Sequence, residues 1–288
     1  MTPLRFSVLC VLAVAVGCKR DATFEEPIPP QAALHWLHAV PDTGAMDMRP
    51  IDIVTNAALM DAVFRGSNMF YQGIDAGTRR IRIFMSSTDP AITGVPIFDT
   101  TFTVTADQGY TLIYTGFART GSTPARTFWV VPDAPPSPDT ATVGIRVLHV
   151  GAGLPNVDVW VVRRPVNAAT ADSLPDARTA ANVAYKGGAA TYITRPRDAV
   201  AADSLRVVVT ATGTKAPVLA SVKLPAGTAG TTILNPIAGA RVGGSVITAV
   251  IVPASVAGST APQGGAFAAP SAVFFVDRRP PNTIPPAP

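Results

Sequence analysis

The chain has 288 residues, of which 48% are hydrophobic and 15% are charged. This composition excludes an intrinsically disordered chain, because enough apolar surface is present to form a core. The formal net charge of +4 is small and the basic residues are scattered, which excludes a nucleic-acid-binding surface as the main feature. The 23 glycines and 28 prolines interrupt the sequence too often for long helices, so we expect short elements joined by turns.

The first segment of the chain has the pattern of an export signal. Arg5 supplies a positive charge and is followed by a run from Phe6 to Val16 that is apolar except for Ser7. The run is shorter than the ~20 apolar residues that cross a bilayer, and small residues follow it, as at a cleavage site. We therefore predict a signal peptide over residues 1–17 and an exported protein without a membrane-spanning segment.

The residue that follows this signal, Cys18, is a candidate lipidation site. The string Ala15-Val16-Gly17-Cys18 resembles the lipobox of bacterial lipoproteins, in which the cysteine is acylated and becomes the first mature residue, although Ala15 stands where leucine is usual. The alternative is ordinary cleavage near Gly17, which leaves a free thiol. Because an unpaired cysteine is unusual in an exported protein, we predict a membrane-anchored lipoprotein, periplasmic or at the cell surface, with residues 18–31 as a Pro-rich tether.

A repeated block indicates that the rest of the chain contains two related copies. Residues 34–48 (LHWLHAVPDTGAMDM) align with residues 145–159 (IRVLHVGAGLPNVDV). The alignment makes the following residues equivalent: His38 and His149, Asp47 and Asp158, Trp36 and Val147. We expect Trp36 and Trp160 to lie in the core, because tryptophan buries a large apolar area.

Later blocks repeat with a wider spacing. The matched segments are residues 64–66 with 185–187, Tyr71 with Tyr192, and residues 109–112 with 230–233. The change in spacing predicts an insertion in the second copy between Val161 and Ala184, rich in Ala, Asp and Pro as a surface loop would be.

Alternation of apolar and polar residues with period two predicts β-strands in both copies. It is clear in residues 80–85 (RIRIFM), 101–105 (TFTVT) and 205–210 (LRVVVT), and turn signals such as Asp75-Ala76-Gly77 separate the strands. The predicted fold class is therefore all-β, with two tandem Ig-like antiparallel β-sandwiches. A small closed barrel is the alternative.

Proline-rich segments set the predicted boundaries. The first sandwich is expected over residues 32–133, a stiff linker over 134–139, the second sandwich over 140–278, and a Pro-rich tail over 279–288. We expect few contacts across the linker, so that the two sandwiches fold separately. Proteases should then cut the linker, the insertion after Val161, or the Gly/Ala/Ser-rich loop over residues 253–270.

The opening block resembles a known family. His38-Ala39-Val40-Pro41-Asp42, followed by Ala45-Met46-Asp47-Met48, is similar to the first motif of the domain of unknown function 4397 family, and the resemblance extends from about Leu34 to Val252. The second copy departs from the motif, since Val150 and Ala152 replace its alanine and proline. The resemblance implies an Ig-like sandwich in exported, often lipid-anchored bacterial proteins, and it implies no established activity.

No catalytic signature is present in the sequence. It contains no HExxH, GxSxG, P-loop or CxxC pattern, so we predict a protein that is not an enzyme and has no cofactor. The scattered arginines of the second copy (Arg163, Arg164, Arg195 and Arg197) could form a local basic face, and solvated positions are the simpler interpretation.

One polar cluster remains as a candidate site. His35, His38, Asp42 and Asp47 include residue types that bind zinc, but His35 and His38 are three residues apart on a strand and so face opposite sides. Only His38 and Asp47 are matched in the second copy, by His149 and Asp158, and two side chains do not complete a zinc site. We therefore predict no metal, and we interpret each His–Asp pair as structural, serving backbone groups in the loop between the first two strands of its copy.

These observations favour a non-enzymatic binding or adhesion module of the cell envelope, with envelope proteins or a polysaccharide as partners and no nucleic acid. The alternative is a structural spacer or envelope-assembly component without a small-molecule ligand, and a metal-dependent enzyme is a distant third. A binding module should expose an apolar or aromatic patch at one end of a sandwich. An enzyme should have a cleft that contains titratable groups with strongly shifted pKa values.

Overall fold

The computed structural model describes residues 28–52, 58–137, 139–165, 174–188, 191–198 and 203–284. The signal peptide, Cys18 and most of the tether lie outside the described residues, as do the middle of the predicted insertion and the end of the tail. Within the described part of the chain, no helix has the length and apolarity that crossing a bilayer requires.

The first sandwich consists of two four-stranded sheets. Its strands are β1 (Gln31–Ala39), β2 (Met46–Pro50), β3 (Leu59–Ala62), β4 (Gln72–Asp75), β5 (Gly77–Met85), β6 (Pro96–Val104), β7 (Gly109–Thr115) and β8 (Thr127–Asp133), with a short helix α1 (Pro90–Thr93). The sheet orders are β4-β1-β7-β8 and β3-β2-β5-β6.

The second sandwich repeats this arrangement. Its strands are β9 (Thr142–His149), β10 (Val157–Pro165), β11 (Ala180–Val183), β12 (Tyr192–Pro196), β13 (Asp203–Ala211), β14 (Val218–Lys223), β15 (Val246–Val252) and β16 (Ser271–Arg278), with a 3-10 turn at Gly265–Phe267. The sheet orders β12-β9-β15-β16 and β11-β10-β13-β14 correspond strand for strand to those of the first sandwich. The predicted all-β fold of two tandem sandwiches is confirmed.

One strand pair in each sandwich differs from the predicted antiparallel pattern. β1 pairs with β7 in parallel, and β9 pairs with β15 in parallel. Antiparallel neighbours can be joined by a tight hairpin, whereas parallel neighbours need a long connection. Five strands separate β1 from β7 along the chain, so the connection is long enough, and local alternation could not have shown the direction of this pair.

Period-two alternation explains the core of each sandwich. In β5, Ile81 and Ile83 are fully buried and pack with Met46 and Met48 of β2 and with Trp36 of β1. The corresponding core of the second sandwich is built largely from valine and isoleucine. Trp36 and Trp160 are both completely buried, as predicted. They occupy different places, however, because Trp160 packs in a small cluster with Leu174 and Val208, separate from the main core.

The two sandwiches pack against each other through the sheets that contain β1 and β9. The shared apolar cluster consists of Leu37, Ala39, Ile113, Val131, Leu148, Val150, Val250, Val252 and Phe275, all of them buried. The expectation of few contacts between the domains was therefore wrong. The reason is visible in β15 (VITAVIV), in which all seven residues are buried, because a strand covered on both faces is apolar throughout rather than alternating.

The structure also corrects the last matched block of the repeat. β7 corresponds to β15 in sheet position and pairing, whereas residues 230–233 lie in the irregular loop that precedes β15. The second copy thus has a further insertion before β15. Sequence similarity alone was misleading here. Residues 230–233 (Gly-Thr-Thr-Ile) resemble the first residues of β7, but they do not pair with a neighbouring strand.

The loop over residues 253–270 docks on the first sandwich instead of extending freely into solvent. Arg65 donates hydrogen bonds to the carbonyl oxygens of Pro253 (2.6 Å), Ala266 (2.7 Å) and Ala269 (2.6 Å). The Val256 N–H donates to the Pro41 carbonyl at 2.9 Å. These contacts weigh against the predicted protease cleavage in this loop, because its backbone is held along much of its length.

The central strands at this interface, β1 and β7 in one sheet and β9 and β15 in the other, run in the same direction, which gives the molecule two distinct ends. The Thr115 hydroxyl, at the end of β7, donates to the Val150 carbonyl, just after β9, so β1, β7 and β9 all finish at one end. Residues 28–30, the linker, the loop before β15 and the chain after β16 therefore lie at the opposite end, here called the tether end.

Candidate functional site

Each predicted histidine is buried and bridges the loop that follows its strand. The Val40 N–H donates to Nδ1 of His38 (3.3 Å), and Nε2 lies 3.2 Å from the Thr43 hydroxyl and 3.4 Å from the Gly44 carbonyl oxygen. His149 repeats this geometry with the Gly151 N–H (3.2 Å) and the Pro155 carbonyl (3.2 Å).

This pattern holds both imidazoles neutral. Since Nδ1 accepts from a backbone N–H, the proton lies on Nε2, where it faces the loop carbonyl. Burial lowers the pKa of His38 to about 4, although the hydrogen bond to Gly44 opposes the shift. Burial also lowers the pKa of His149. These contacts are those expected of a histidine that satisfies the backbone of its loop.

The two aspartates serve a different part of the fold. Asp47 accepts from the Asp61 N–H (2.8 Å), and Asp158 accepts from the Asn182 N–H (2.9 Å) and the Gly213 N–H (2.8 Å). Asp61 and Asn182 occupy equivalent places in β3 and β11, and both have left-handed φ values, 49° and 50°.

The interpretation of His and Asp as a pair within one loop was therefore wrong. The carboxylates hold the irregular strand at the sandwich edge, where a left-handed residue disrupts the pairing. Asp42, the third acid of the cluster, accepts from the N–H groups of Ala118 and Arg119. Among the described residues, no group of three or more His, Cys, Asp or Glu side chains is placed to hold a metal ion.

His35, the fourth residue of the candidate site predicted from the sequence, does not contact the other three. It belongs instead to a buried group of polar side chains between the two sandwiches, here called the polar cluster, which the sequence did not predict. Arg146 donates to Asp133 of the first sandwich at 2.6 Å and lies 3.5 Å from Asp277 of its own. His35 Nε2 lies 3.6 Å from Asp277. All four of these side chains are completely buried.

The polar cluster is arranged with approximate two-fold symmetry. His35 and Arg146 are equivalent in the repeat, as are Tyr71 and Tyr192. The two tyrosines each donate to the aspartate of their own sandwich, Tyr71 to Asp133 at 2.8 Å and Tyr192 to Asp277 at 2.9 Å. Each basic side chain, in turn, reaches the aspartate of the other sandwich. The sequence signal that could have revealed the polar cluster was the alignment of His35 with Arg146 in the repeat.

Several pKa values in the polar cluster are strongly shifted. Burial raises the pKa of Asp133, with Arg146 acting in the opposite direction. Burial and the neighbouring acids raise the pKa of Tyr71, and burial and Asp277 raise that of Tyr192. Burial between the two sandwiches is the largest cause of each of these shifts, which are typical of a buried ion-pair network.

A cavity of about 450 Å³ lies in the second sandwich at the edge formed by β11 and β12. Its apolar wall is formed by Ile145, Val147, Val183 and Ile193, and its polar wall includes Thr179. A volume of this size is within the range of small-molecule sites.

Side-chain size explains why the cavity lies in this sandwich. Val147 corresponds in strand position to Trp36, which is completely buried in the first sandwich. Ala180 pairs with Val159 in the second sandwich, and Leu59 pairs with Met48 in the first. Because Val159 and Met48 are equivalent in the repeat, Ala180 corresponds to Leu59. The second copy therefore carries two smaller side chains at the positions that face this space. The Trp36–Val147 match was visible in the sequence, but its meaning depended on knowing which face of the strand is enclosed.

An exposed apolar patch lies at the tether end. Ile233, Leu234 and Ile237 in the loop before β15 are 77%, 64% and 57% exposed. Ile284 joins them, because its N–H donates to Asn235 in the same loop. We call these four side chains the tether-end patch. Such a patch was the feature expected of a binding module rather than a spacer.

The fold and these sites define two packed β-sandwiches with a cavity of about 450 Å³ at the edge of the second. Residues 32–160 match the family model described as a domain of unknown function (DUF4397), so this part of the chain is similar to that family. The match covers the whole first sandwich, the linker, and the start of the second sandwich. The resemblance inferred from the opening motif is thus confirmed over residues 32–160, and its predicted extension to Val252 stays a prediction.

Other comparisons add little. A search of curated proteins found none that matches the chain. Among solved structures, the chain is similar to a candidate cell adhesion protein from Parabacteroides distasonis ATCC 8503, with 8% sequence identity, 87% of this chain and 99% of that chain covered, and a TM-score of 0.19. A likeness at this level carries no argument about function.

Proposed function

We propose that the protein is a non-enzymatic binding module of the cell envelope that holds a small ligand in the cavity of its second sandwich. The observation that carries the proposal is the difference between the two copies at one place. Trp36 and Leu59 in the first are replaced by Val147 and Ala180 in the second, beside a cavity of about 450 Å³.

The energetics of packing support this proposal. Truncating a buried leucine to alanine costs about 2–5 kcal/mol, and the cost rises with the volume left empty. A sandwich that carries the smaller residues forgoes this stabilisation. A bound ligand restores it, because ligand binding to the folded state adds to stability.

Placement at a membrane is also part of the proposal. The predicted signal peptide and Cys18 imply a lipid anchor, and the tether enters β1 at the tether end. The tether-end patch lies at this same end of the molecule, which suits a surface that faces a membrane. The cavity, at a lateral edge of the second sandwich, then stays open to solutes.

Native mass spectrometry of the full-length protein, purified from its own envelope, tests the ligand. We expect a small molecule to co-purify with the wild type and to be absent from the double variant Val147→Trp/Ala180→Leu, which gives the second copy the side chains of the first. Ile237→Ser, outside the cavity, is the matched control. Equal small-molecule content in wild type and double variant would contradict the proposed site.

The membrane anchor has a separate test. Mass spectrometry of the mature N-terminus should show acylated Cys18, and Cys18→Ser should move the protein from the membrane to the soluble fraction. Cleavage at another residue or an unmodified Cys18 would contradict the anchor, and would leave the cavity proposal to its own experiment.

The runner-up function is a rigid envelope spacer. It is favoured by one observation, the buried polar cluster around Arg146, which fixes the orientation of the two sandwiches. A spacer needs no ligand, so a protein that carries no small molecule in the first experiment would favour this function.

A further inference from the structure

We infer that the ligand of the cavity is amphipathic, with an apolar body held against the apolar wall of the cavity and an oxyanion, such as a carboxylate or phosphate, bound by Arg195. This inference rests on the proposed function of the cavity and specifies the chemistry of its ligand. It is carried by the position of Arg195, by its lack of an acidic partner, and by the residue that the first sandwich has in its place.

The position of Arg195 brings its guanidinium to the wall of the cavity. Arg195 lies in β12, two residues after Ile193, so the two side chains leave the strand on the same face. Ile193 lines the cavity. One guanidinium nitrogen of Arg195 lies 3.3 Å from the hydroxyl oxygen of Thr179, which also lines the cavity. The cation is thus held at the polar wall by a neutral acceptor.

Arg195 differs from two neighbouring arginines in having no acidic partner among the described residues. Neighbouring arginines have acidic partners, Asp198 for Arg163 and Asp158 for Arg178. Across the described residues, no Asp or Glu lies within 4.0 Å of the Arg195 guanidinium. An arginine has five N–H donors in a planar fork that fits a carboxylate or phosphate with two parallel hydrogen bonds. The bond to Thr179 leaves most of these donors for a ligand.

The first sandwich has an apolar residue at this position. Arg195 pairs with Val143 of β9, and Ile74 pairs with Ala32 of β1. Because Val143 and Ala32 are equivalent in the repeat, Arg195 corresponds to Ile74. Ile74 is 1% exposed and belongs to the core. The copy with the smaller cavity-lining residues is therefore also the copy with a cation at the edge. A half-open cavity with an apolar wall, beside a guanidinium that has no acidic partner among the described residues, is complementary to an amphipathic anion.

Calorimetric titration of the full-length protein, first freed of any co-purified small molecule, tests the inference with octanoate, octyl phosphate and 1-octanol. These probes share an eight-carbon chain and differ in the head group. We expect at least one anion to bind at least tenfold more tightly than 1-octanol, because a charged hydrogen bond is lost with the alcohol. The comparison of octanoate with octyl phosphate identifies the preferred oxyanion.

Three variants locate the binding. Arg195→Ile, which introduces the residue of the first sandwich, should weaken anion binding at least tenfold and leave 1-octanol unaffected. Val147→Trp should abolish binding of every probe, and Arg197→Gln, at an exposed arginine two residues further on, should change nothing. Thermal unfolding of each variant shows whether it is folded before it is titrated.

The outcomes separate this inference from the function on which it rests. If the alcohol binds as tightly as the anions and Val147→Trp abolishes all binding, the cavity is a binding site and the role of Arg195 is wrong. Unchanged anion binding in Arg195→Ile also overturns the inference. If no probe binds, the inference is wrong, and native mass spectrometry still decides whether the cavity holds a neutral molecule.

Discussion

The two sandwiches share one strand order and differ in what fills them. In the first, Trp36 and Ile74 are buried in the core. In the second, the equivalent residues are Val147, which lines a cavity, and Arg195, whose guanidinium contacts the cavity wall. The backbone pairing is the same at these positions. A few side-chain exchanges on an unchanged scaffold are therefore enough to convert a packed edge into a candidate binding site.

The surfaces that join the sandwiches differ much less. Leu37 and Leu148 contribute to the same apolar cluster, and both copies supply a tyrosine and an aspartate to the polar cluster. The main exchange is His35 for Arg146, and both side chains remain completely buried. Between the two copies, the shared face therefore differs less than the lateral edge that carries the cavity.

The largest expected effect follows from separating the copies. A fragment over residues 140–284 would expose Leu148, Val250 and Phe275 to water and leave Arg146 without Asp133. We expect this fragment to aggregate or to lack a cooperative unfolding transition, in contrast to the full chain. Size-exclusion chromatography and thermal unfolding by circular dichroism measure this. A monomeric fragment that unfolds at the temperature of the full chain would restore the view of independent domains.

Removing the central cation of the polar cluster should have the next largest effect. Arg146→Ala leaves Asp133 and Asp277 buried without their arginine, and losing one partner of a buried ion pair costs about 3–5 kcal/mol. Urea denaturation measures the free energy of unfolding. Arg80→Ala is the control, because Arg80 forms an exposed ion pair with Asp99 and should change stability little. Equal effects of both substitutions would show that the polar cluster does not fix the interface.

The neutral histidines predict a loss of stability in mild acid. The pKa of His38 is about 4 in the folded protein, below its ordinary value of 6.5, so between these values the unfolded chain binds more protons. The stabilising contribution is complete above pH 6.5 and is lost as the pH falls toward 4, by up to about 3 kcal/mol. The pKa of His149 is lowered in the same direction.

Urea denaturation at pH 7 and pH 5 checks this dependence. The wild type should lose more stability over this interval than His38→Gln or His149→Gln, and the double variant should lose least. A wild-type pH dependence that both substitutions leave unchanged would contradict the neutral-histidine assignment.

Substitution of the two buried aspartates should lower the free energy of unfolding by a smaller amount, and this amount should differ between the two copies. Asp158 accepts the Asn182 N–H of β11 and the Gly213 N–H between β13 and β14, whereas Asp47 accepts the Asp61 N–H of β3. An unsatisfied buried donor costs about 1–3 kcal/mol, so Asp158→Ala should lower the free energy of unfolding more than Asp47→Ala. Each aspartate also pairs with an arginine, Asp47 with Arg49 and Asp158 with Arg178. The reverse order would therefore show that the pairing of Asp47 with Arg49 outweighs the additional backbone donor of Asp158.

The smallest expected effect is that of metal removal. Since the His and Asp side chains are engaged by backbone groups, we expect the melting temperature to stay the same in excess EDTA and in added zinc. Thermal unfolding under the three conditions measures this. Destabilisation by EDTA that zinc reverses would replace the structural interpretation of these residues with a metal site.

The sequence determined the local structure of this protein. Period-two alternation placed the strands, as Ile81 and Ile83 show, and the repeat gave two copies with His38 and His149 in equivalent loops. These properties depend on residues close together in the chain, since side-chain direction in a strand follows from its backbone alone. The family motif added the fold class from the same short segment.

Only the tertiary structure decided which surfaces meet. The parallel pairing of β1 with β7, the contact of Arg146 with Asp133, and the space beside Val147 all depend on residues from different strands or different sandwiches. An apolar residue in a strand predicts burial but not its partner, because burial reduces the exposed apolar area equally against any well-packed surface. For this reason the alignment could show that Trp36 is replaced by Val147, and only the packed sandwich could show that the replacement faces a cavity.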